Sequence, residues 1–323
     1  MPVTSVLKDA DTLTLTVHAE FPVPVERLWQ AYLDPRQIEK FWGPPGYPAT
    51  FTRHDGCANG FSHYYMTSPE GETFHGYWQW SELLEHRLFE VIDGFATAEG
   101  GPNRQLPTTR VSFTFGPWEE GSKLTVTSHF NSVEDLEQLL EMGMDEGLRL
   151  AMGQLDQVLV DLGDVALARP TEAQLLSDTK VRISRVIRGS REQAWHAYHD
   201  PQMLRRWMFG PDGWGLTECV VGSEVGQEHR SWWEPQAGSG QEGFGFCGRI
   251  LARQAPVYER TTEQMIGTDS PVTVNELTLT PAPGGTLLTL VITYPDAHTR
   301  DSILGTGMTD GMEASYARLD SLL

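Results

Sequence analysis

The sequence predicts an α+β chain built from two copies of one unit, each with several antiparallel strands followed by one long terminal helix. Length is the first observation. At 323 residues the chain exceeds most single cores, and roughly 100–200 residues per domain favours two. An internal repeat is the second. Trp29-Gln30-Ala31-Tyr32-Leu33-Asp34-Pro35 returns as Trp195-His196-Ala197-Tyr198-His199-Asp200-Pro201, with five of seven positions identical at an offset of 166. The same offset pairs Gly60 with Gly226 and His63 with His229, and Phe74-His75-Gly76 matches Phe246-Cys247-Gly248. Pro117, Gly121, Leu124 and Thr125 match Pro281, Gly285, Leu288 and Thr289 at an offset of 164, as do Met144, Gly147, Leu155 and Asp156 with Met308, Gly311, Leu319 and Asp320. A collinear series at a nearly constant offset marks a tandem duplication. The third observation is the order of local patterns, which is the same in both copies.

In that order, Leu13–Val17 and Val181–Val186 alternate as half-buried strands do. Val25–Leu33 sets Val25, Leu28, Trp29 and Tyr32 on one helical face, and Asp34-Pro35 and Asp200-Pro201 end the helices because the residue before proline resists the helical region. A short second helix is expected over Gln37–Trp42, before Gly43-Pro44-Pro45-Gly46. Strand patterns rich in aromatic and β-branched residues cover Phe61–Met66, Phe74–Leu84, Arg87–Ile92, Arg110–Phe115 and Lys123–Phe130. Val133–Leu162 then carries apolar residues at helical spacing, and the second copy ends in a helix near Thr299–Leu323. The expected division is a first domain over 1–163, a linker over 164–178 and a second domain over 179–323. Within that linker, marked by Gly163 and Pro170, Ala173–Leu176 has the composition for a helical turn.

Composition narrows the function classes. Forty-four Asp+Glu against twenty-four Lys+Arg give a formal charge of −20. That balance argues against nucleic acid and anionic membrane surfaces, which are bound through clustered Lys and Arg. The first nine residues lack the pattern of a signal peptide, and no stretch approaches the ~18 apolar residues of a membrane span. Three cysteines (Cys57, Cys219, Cys247) without CxxC spacing give neither a disulfide framework nor a structural zinc site, so a reducing cytoplasm is the expected compartment. No cofactor or metal motif stands out: His196, His199 and Asp200 read as polar residues at a helix end. Ten Trp, nine Tyr and thirteen Phe point to cores or cavities lined with rings.

The Trp-x-Ala-Tyr-x-Asp-Pro helix ends, Phe41-Trp42-Gly43-Pro44, Trp207-Met208-Phe209-Gly210-Pro211 and the terminal Met144-Asp145-Glu146-Gly147 and Met308-Thr309-Asp310-Gly311 together resemble the START-like (SRPBCC) superfamily. The branch that they resemble is the family named after the activator of heat-shock protein 90 ATPase. The resemblance covers both units and implies the helix-grip fold of the birch pollen allergen, in which a curved sheet grips the long helix and encloses a ligand cavity. It is specific for fold and weak for function, because the superfamily includes both binding proteins and enzymes.

Period-two reading sorts the strand residues. The inward sets are Phe74, Gly76, Trp78 and Trp80; Val111, Phe113 and Phe115; Leu124, Val126, Ser128 and Phe130; and, less sharply defined, Phe61, His63 and Tyr65. In the second unit they include Phe244, Phe246 and Ile250, and His229 with Trp233. The candidate ligand-binding residues are therefore Trp42, His63, Tyr65, Trp78, Trp80, Phe113, Phe115 and Met144, with His229, Trp233, Phe246 and Met308 in the second unit. Any single ring among them could serve packing alone. His63 and His229, as an equivalent ionisable pair, are expected to donate a hydrogen bond or act as acid/base, against the alternative of a strand histidine satisfied by a neighbour. The leading reading is a non-enzymatic binding protein for a small hydrophobic or amphipathic molecule, with no catalytic set assigned. A polyketide aromatase/cyclase-like enzyme, with His63, His229, Tyr65 or Asp93 as acid/base, is the alternative. A chaperone ATPase activator rests on the family name alone.

Overall fold

The computed structural model describes residues 2–161, 170–210, 213–238 and 240–323. Residues 164–169 of the expected linker lie outside the described residues. Contacts divide the chain into Met1–Val165 and Ala166–Leu323. The first unit runs β1 (Val3–Asp9), β2 (Thr14–Phe21), α1 (Val25–Leu33), α2 (Pro35–Ile38), β3 (Ala49–His54), β4 (Phe61–Thr67), β5 (Thr73–Leu84), β6 (Leu88–Phe95), β7 (Thr109–Trp118), β8 (Gly121–His129), α3 (Val133–Glu141) and α4 (Met144–Asp161). The second runs β9 (Glu172–Leu175), β10 (Lys180–Ile187), α5 (Arg191–His199), α6 (Pro201–Trp207), β11 (Trp214–Val220), β12 (Glu228–Pro235), β13 (Phe244–Gln254), β14 (Tyr258–Met265), β15 (Thr273–Ala282), β16 (Gly285–Thr293), α7 (Ala297–Leu304) and α8 (Met308–Asp320). Each unit has one eight-stranded sheet. The orders, β1-β2-β8-β7-β6-β5-β4-β3 and β9-β10-β16-β15-β14-β13-β12-β11, are the same topology, and every pairing is antiparallel.

Alternation builds these sheets as the sequence predicts. Leu15, Val17, Ala19 and Phe21 of β2 are buried, and so are Leu124 and Val126 of β8. Val17 lies opposite Val126, which lies opposite Phe113 on its other side. Opposed residues share a face, so one inward row crosses three strands. Helix α1 buries Leu28, Trp29 and Tyr32 against the row. The repeated Asp-Pro has two jobs in each unit. It ends one helix, and the aspartate caps the next: Asp34 accepts from Arg36 N at 2.9 Å, and Asp200 from Gln202 N and Met203 N at 2.7 and 2.8 Å, with proline at the first helical position. The Gly121/Gly285 match has a steric cause, since a Cβ would stand 2.1 Å from the Phe21 carbonyl oxygen in one unit and 2.0 Å from that of Ile187 in the other.

Three expectations need correction. The short second helix spans Pro35–Ile38 rather than Gln37–Trp42, because Asp34 caps it and Pro35 takes its first position. The long terminal helix is two helices in each unit. Gly143 and Gly307, with φ of 83° and 81°, break it in the left-handed region that glycine adopts without cost. The segment Glu172–Leu175 is strand β9, pairing with β10 through Ile183↔Ala173, rather than a helical turn; its edge position supplies the hydrogen bonds that a four-residue helix could not.

In the second unit an ionic network fastens α8 to the sheet. Arg185 of β10, 8% exposed, donates to Glu313 at 2.9 Å through Nε and to Asp320 at 2.7 Å through Nη1. The two acids are two helical turns apart on one face of α8. Thr171 donates to Glu313 Oε2 from both its N and Oγ1 at 2.7 Å. Among the described residues no helix is long and apolar enough to cross a membrane.

Candidate functional site

In the first unit a cavity of about 310 Å³ lies between the inward face of the sheet and helices α3 and α4. Its walls are mostly apolar. Strand β5 contributes Phe74, Gly76 and Trp78, β7 contributes Val111 and Phe113, and the helices contribute Leu139, Met144, Leu148 and Ala151. Gly143 and Gly147 also border it, so the helix break lies at its edge. Such a space, apolar with few polar groups, has the make-up of small-molecule sites.

Of the sequence-derived candidates, Trp42, Trp78, Phe113 and Met144 line this cavity. Trp42 and Trp78 meet edge to face, centroids 4.7 Å apart. Trp80 and Phe115 do not line it. Trp80 is buried and donates from Nε1 to Ser62 Oγ at 2.8 Å, continuing a chain in which Ser62 meets His54 Nδ1 at 3.0 Å and His54 Nε2 donates to the Tyr32 carbonyl at 2.9 Å. Phe115 packs on Trp29, centroids 5.1 Å apart, in the core beside α1.

His63 and Tyr65 are on the wrong face for the cavity. The inward residues of β4 are Ser62, Tyr64 and Met66: Tyr64 and Met66 line the cavity, and Ser62 is fully buried beneath Trp80. Tyr64 lies opposite Gly76, and a Cβ on Gly76 would stand 2.4 Å from the Tyr64 ring. The glycine makes room for that ring and fixes the parity of the strand. His63 is buried all the same, because the loop around Gly100 lies against its imidazole. It shares a hydrogen bond with Thr52 Oγ1 at 2.6 Å and stacks on His75. Tyr65 lies opposite His75 in this outer group, of which only His75 borders the cavity.

Nor are His63 and His229 equivalent. Asn59 and Gly226 both have positive φ, and their N–H groups donate to the matching carbonyls of Trp80 and Ile250. The next residues, Gly60 and Gln227, accept from Trp80 N and Ile250 N, 3.0 Å each. The offset in this strand is therefore 167, which superposes Ser62 on His229. The imidazole of His229 lies over Gly248, its strand partner, and donates from Nε2 to the Thr262 carbonyl at 2.8 Å.

The polar side of the cavity is Asp93, which lines it on β6. Trp78 Nε1 donates to Asp93 Oδ1 at 3.0 Å. Burial pushes the carboxyl up to about 7, against the opposite pull of Trp78, the Tyr64 hydroxyl and the Gly94 N–H. Burial, and then the Asp93 charge, push the Tyr64 hydroxyl well above its ordinary value. Ser128 also lines the cavity and is fully buried, with no partner for its Oγ among the described residues. Trp42 Nε1 is buried without an acceptor in hydrogen-bond geometry among the described residues, although it pulls on the Tyr64 hydroxyl. Asp93 and Ser128 stood among the acid/base candidates and the inward residues of the sequence. Tyr64 and Met66 were missed; the signal for them was Gly76, whose bare backbone asks for an aromatic neighbour across the strand.

The second unit repeats the acid with different company. Glu263 lies opposite Thr273 as Asp93 lies opposite Thr109, each threonine opening its strand. Burial pushes the Glu263 carboxyl up, while His229 and Asn275 pull it down. Burial and Glu263 together push the Tyr294 hydroxyl up to about 12; that hydroxyl has no partner among the described residues. Trp233 stacks on Phe244 and donates to the Met208 carbonyl at 2.7 Å. Phe246 packs edge to face on Trp233, and Met308 packs with Val181, Ile183, Ile292 and Tyr294.

Several solved structures resemble parts of the chain. Protein Ms6760 from Mycobacterium smegmatis is 46% identical over 49% of this chain and 97% of its own, with a TM-score of 0.47. A protein from Arthrobacter aurescens is 40% identical over 49% of this chain and 92% of its own, with a TM-score of 0.48. DynU16, a protein of the dynemicin biosynthetic locus, matches 96% of this chain and 97% of its own at 16% identity and a TM-score of 0.35. No curated protein sequence matches. The family of activator of Hsp90 ATPase homolog 1-like proteins matches twice, over residues 22–160 and 188–323. With both repeats covered and the same topology in each, the chain belongs to that family as a tandem pair of its START-like domains.

Proposed function

We propose that the protein binds a small, largely apolar molecule between the sheet and the terminal helices of its first unit. The observation that carries this reading is the cavity of about 310 Å³ walled by Trp42, Trp78, Phe113 and Met144. Rings that only filled a core would leave no such space, because cores pack to crystal density. Binding there is driven by apolar burial at roughly 25 cal/mol per Å². Native mass spectrometry of protein purified under gentle conditions tests the reading. A retained small molecule, reduced in occupancy when Ala151→Trp fills the helix wall, is the expected result; a bare mass for protein exposed to a metabolite extract counts against it.

A second reading, an enzyme of the aromatase/cyclase kind, is favoured by one observation: the Asp93 carboxyl, pushed up to about 7. A group with that value exchanges protons readily at neutral pH, which is what proton transfer at a bound carbonyl compound requires. Loss of turnover in Asp93→Asn with binding retained would favour the enzyme over the binding protein.

A further inference from the structure

We propose that the ligand of the first-unit cavity is a neutral ring compound that presents a carbonyl or similar acceptor oxygen to Asp93, and that carboxylate-bearing molecules such as fatty acids are excluded. This rests on the ligand-binding reading above and adds the chemical class.

Three polar atoms of the wall carry the argument. Among the described residues Ser128 Oγ is fully buried without a partner, and Trp42 Nε1 is a buried donor whose approach to the Tyr64 hydroxyl falls short of hydrogen-bond geometry. A buried polar group left unmade costs about 1–3 kcal/mol, and a ligand oxygen relieves that cost. Asp93 is the third. Its neighbour Trp78 Nε1 can only donate. A protonated Asp93 and the Tyr64 hydroxyl beside it hold two hydrogens between them, of which their mutual bond uses one, so one hydrogen is left for an acceptor in the space that both residues line.

Charge decides against anions. Among the described residues of the lining the ionisable ones are Asp93, Tyr64 from β4 and His75 from β5, with no lysine or arginine. The helices bring Leu139, Met142, Met144 and Leu148, none of which ionises. Tyr77, on the far face of β5, also feels Asp93. A carboxylate entering this space loses its hydration and finds no counter-ion, and where Asp93 is ionised it meets a like charge as well. Burial holds His75 below its ordinary value, so it supplies no cation at neutral pH.

Three matched probes test the proposal on the whole chain by calorimetric titration: 2-acetylnaphthalene, 2-ethylnaphthalene and 2-naphthoate. At pH 6.5 the ketone binds about tenfold more tightly than the hydrocarbon, as one net hydrogen bond gives, and naphthoate binds most weakly. At pH 8.5, with Asp93 ionised, the advantage of the ketone shrinks. Asp93→Asn, whose amide still donates, keeps the advantage at both pH values, which separates Asp93 from His75; Asp93→Ala removes it. Equal binding of ketone and hydrocarbon, naphthoate as tight as the ketone, or a preference that survives Asp93→Ala overturns the proposal while the ligand-binding reading stands. If none of the three probes binds, that reading falls with it.

Discussion

Replacing Trp78 with alanine removes a large share of the stability of the first unit and loosens its core. The side chain is fully buried and meets Trp42, Phe51, Trp80 and Phe113 at centroid distances of 4.7, 6.1, 5.8 and 5.7 Å. Truncating a buried tryptophan costs about 3–5 kcal/mol, a large share of the ~5–15 kcal/mol that holds a typical domain together. Hydrogen exchange read by mass spectrometry should show peptides of β4 to β7 losing protection. Trp78→Phe separates packing from polarity. It keeps most of the ring contacts, costs less, and removes the donor to Asp93, so the Asp93 carboxyl titrates still higher than about 7, as carboxyl carbon NMR would show. Unchanged protection in Trp78→Ala would mean that the rings do not form the continuous core described here.

Arg185→Met has a comparable effect on the second unit, with a pH signature. Removing one partner of a buried ion pair costs about 3–5 kcal/mol; because Glu313 keeps a side-chain exposure of 32%, screening favours the lower end. Burial alone would push the Glu313 carboxyl up, but Arg185 and the two Thr171 donors bring it from 4.5 down to about 2. A carboxyl depressed in the folded state stabilises fully above its unfolded value and loses that contribution as pH falls through the folded one. The network therefore contributes fully above about pH 4.5 and fades towards pH 2. Urea unfolding from pH 6 to pH 3 checks this: wild type loses stability on that acid limb, and Arg185→Met starts lower and loses less.

The duplicated architecture was legible in the sequence because the repeated residues do backbone work. Asp34 and Asp200 cap helices, and Gly121 and Gly285 avoid carbonyl oxygens, so both copies had to keep them. Inward faces were legible where one parity is apolar and the other polar, as in β7 and β8. Strand β4 defeated that reading. Phe61-Ser62-His63-Tyr64-Tyr65-Met66 carries rings on both parities, and only the cross-strand match of Tyr64 with Gly76 decides between them. The histidine pairing failed by one residue, since a one-residue shift moves a side chain to the other face; the left-handed turn is made by Asn59 in one copy and Gly226 in the other. Edge strand β1 shows no clean alternation, so its periodicity carried no signal. The Asp93 environment, assembled from β4, β5 and β6, could not be read from a list of forty-four acids.

A crystal structure of the protein grown with 2-acetylnaphthalene is the decisive test of ligand binding beside Asp93. The naphthalene rings are expected among Trp78, Phe113 and Met144, with the ketone oxygen within hydrogen-bond distance of the Asp93 carboxyl. Probe density elsewhere on the chain, or an unoccupied first-unit cavity at saturating probe, would contradict it.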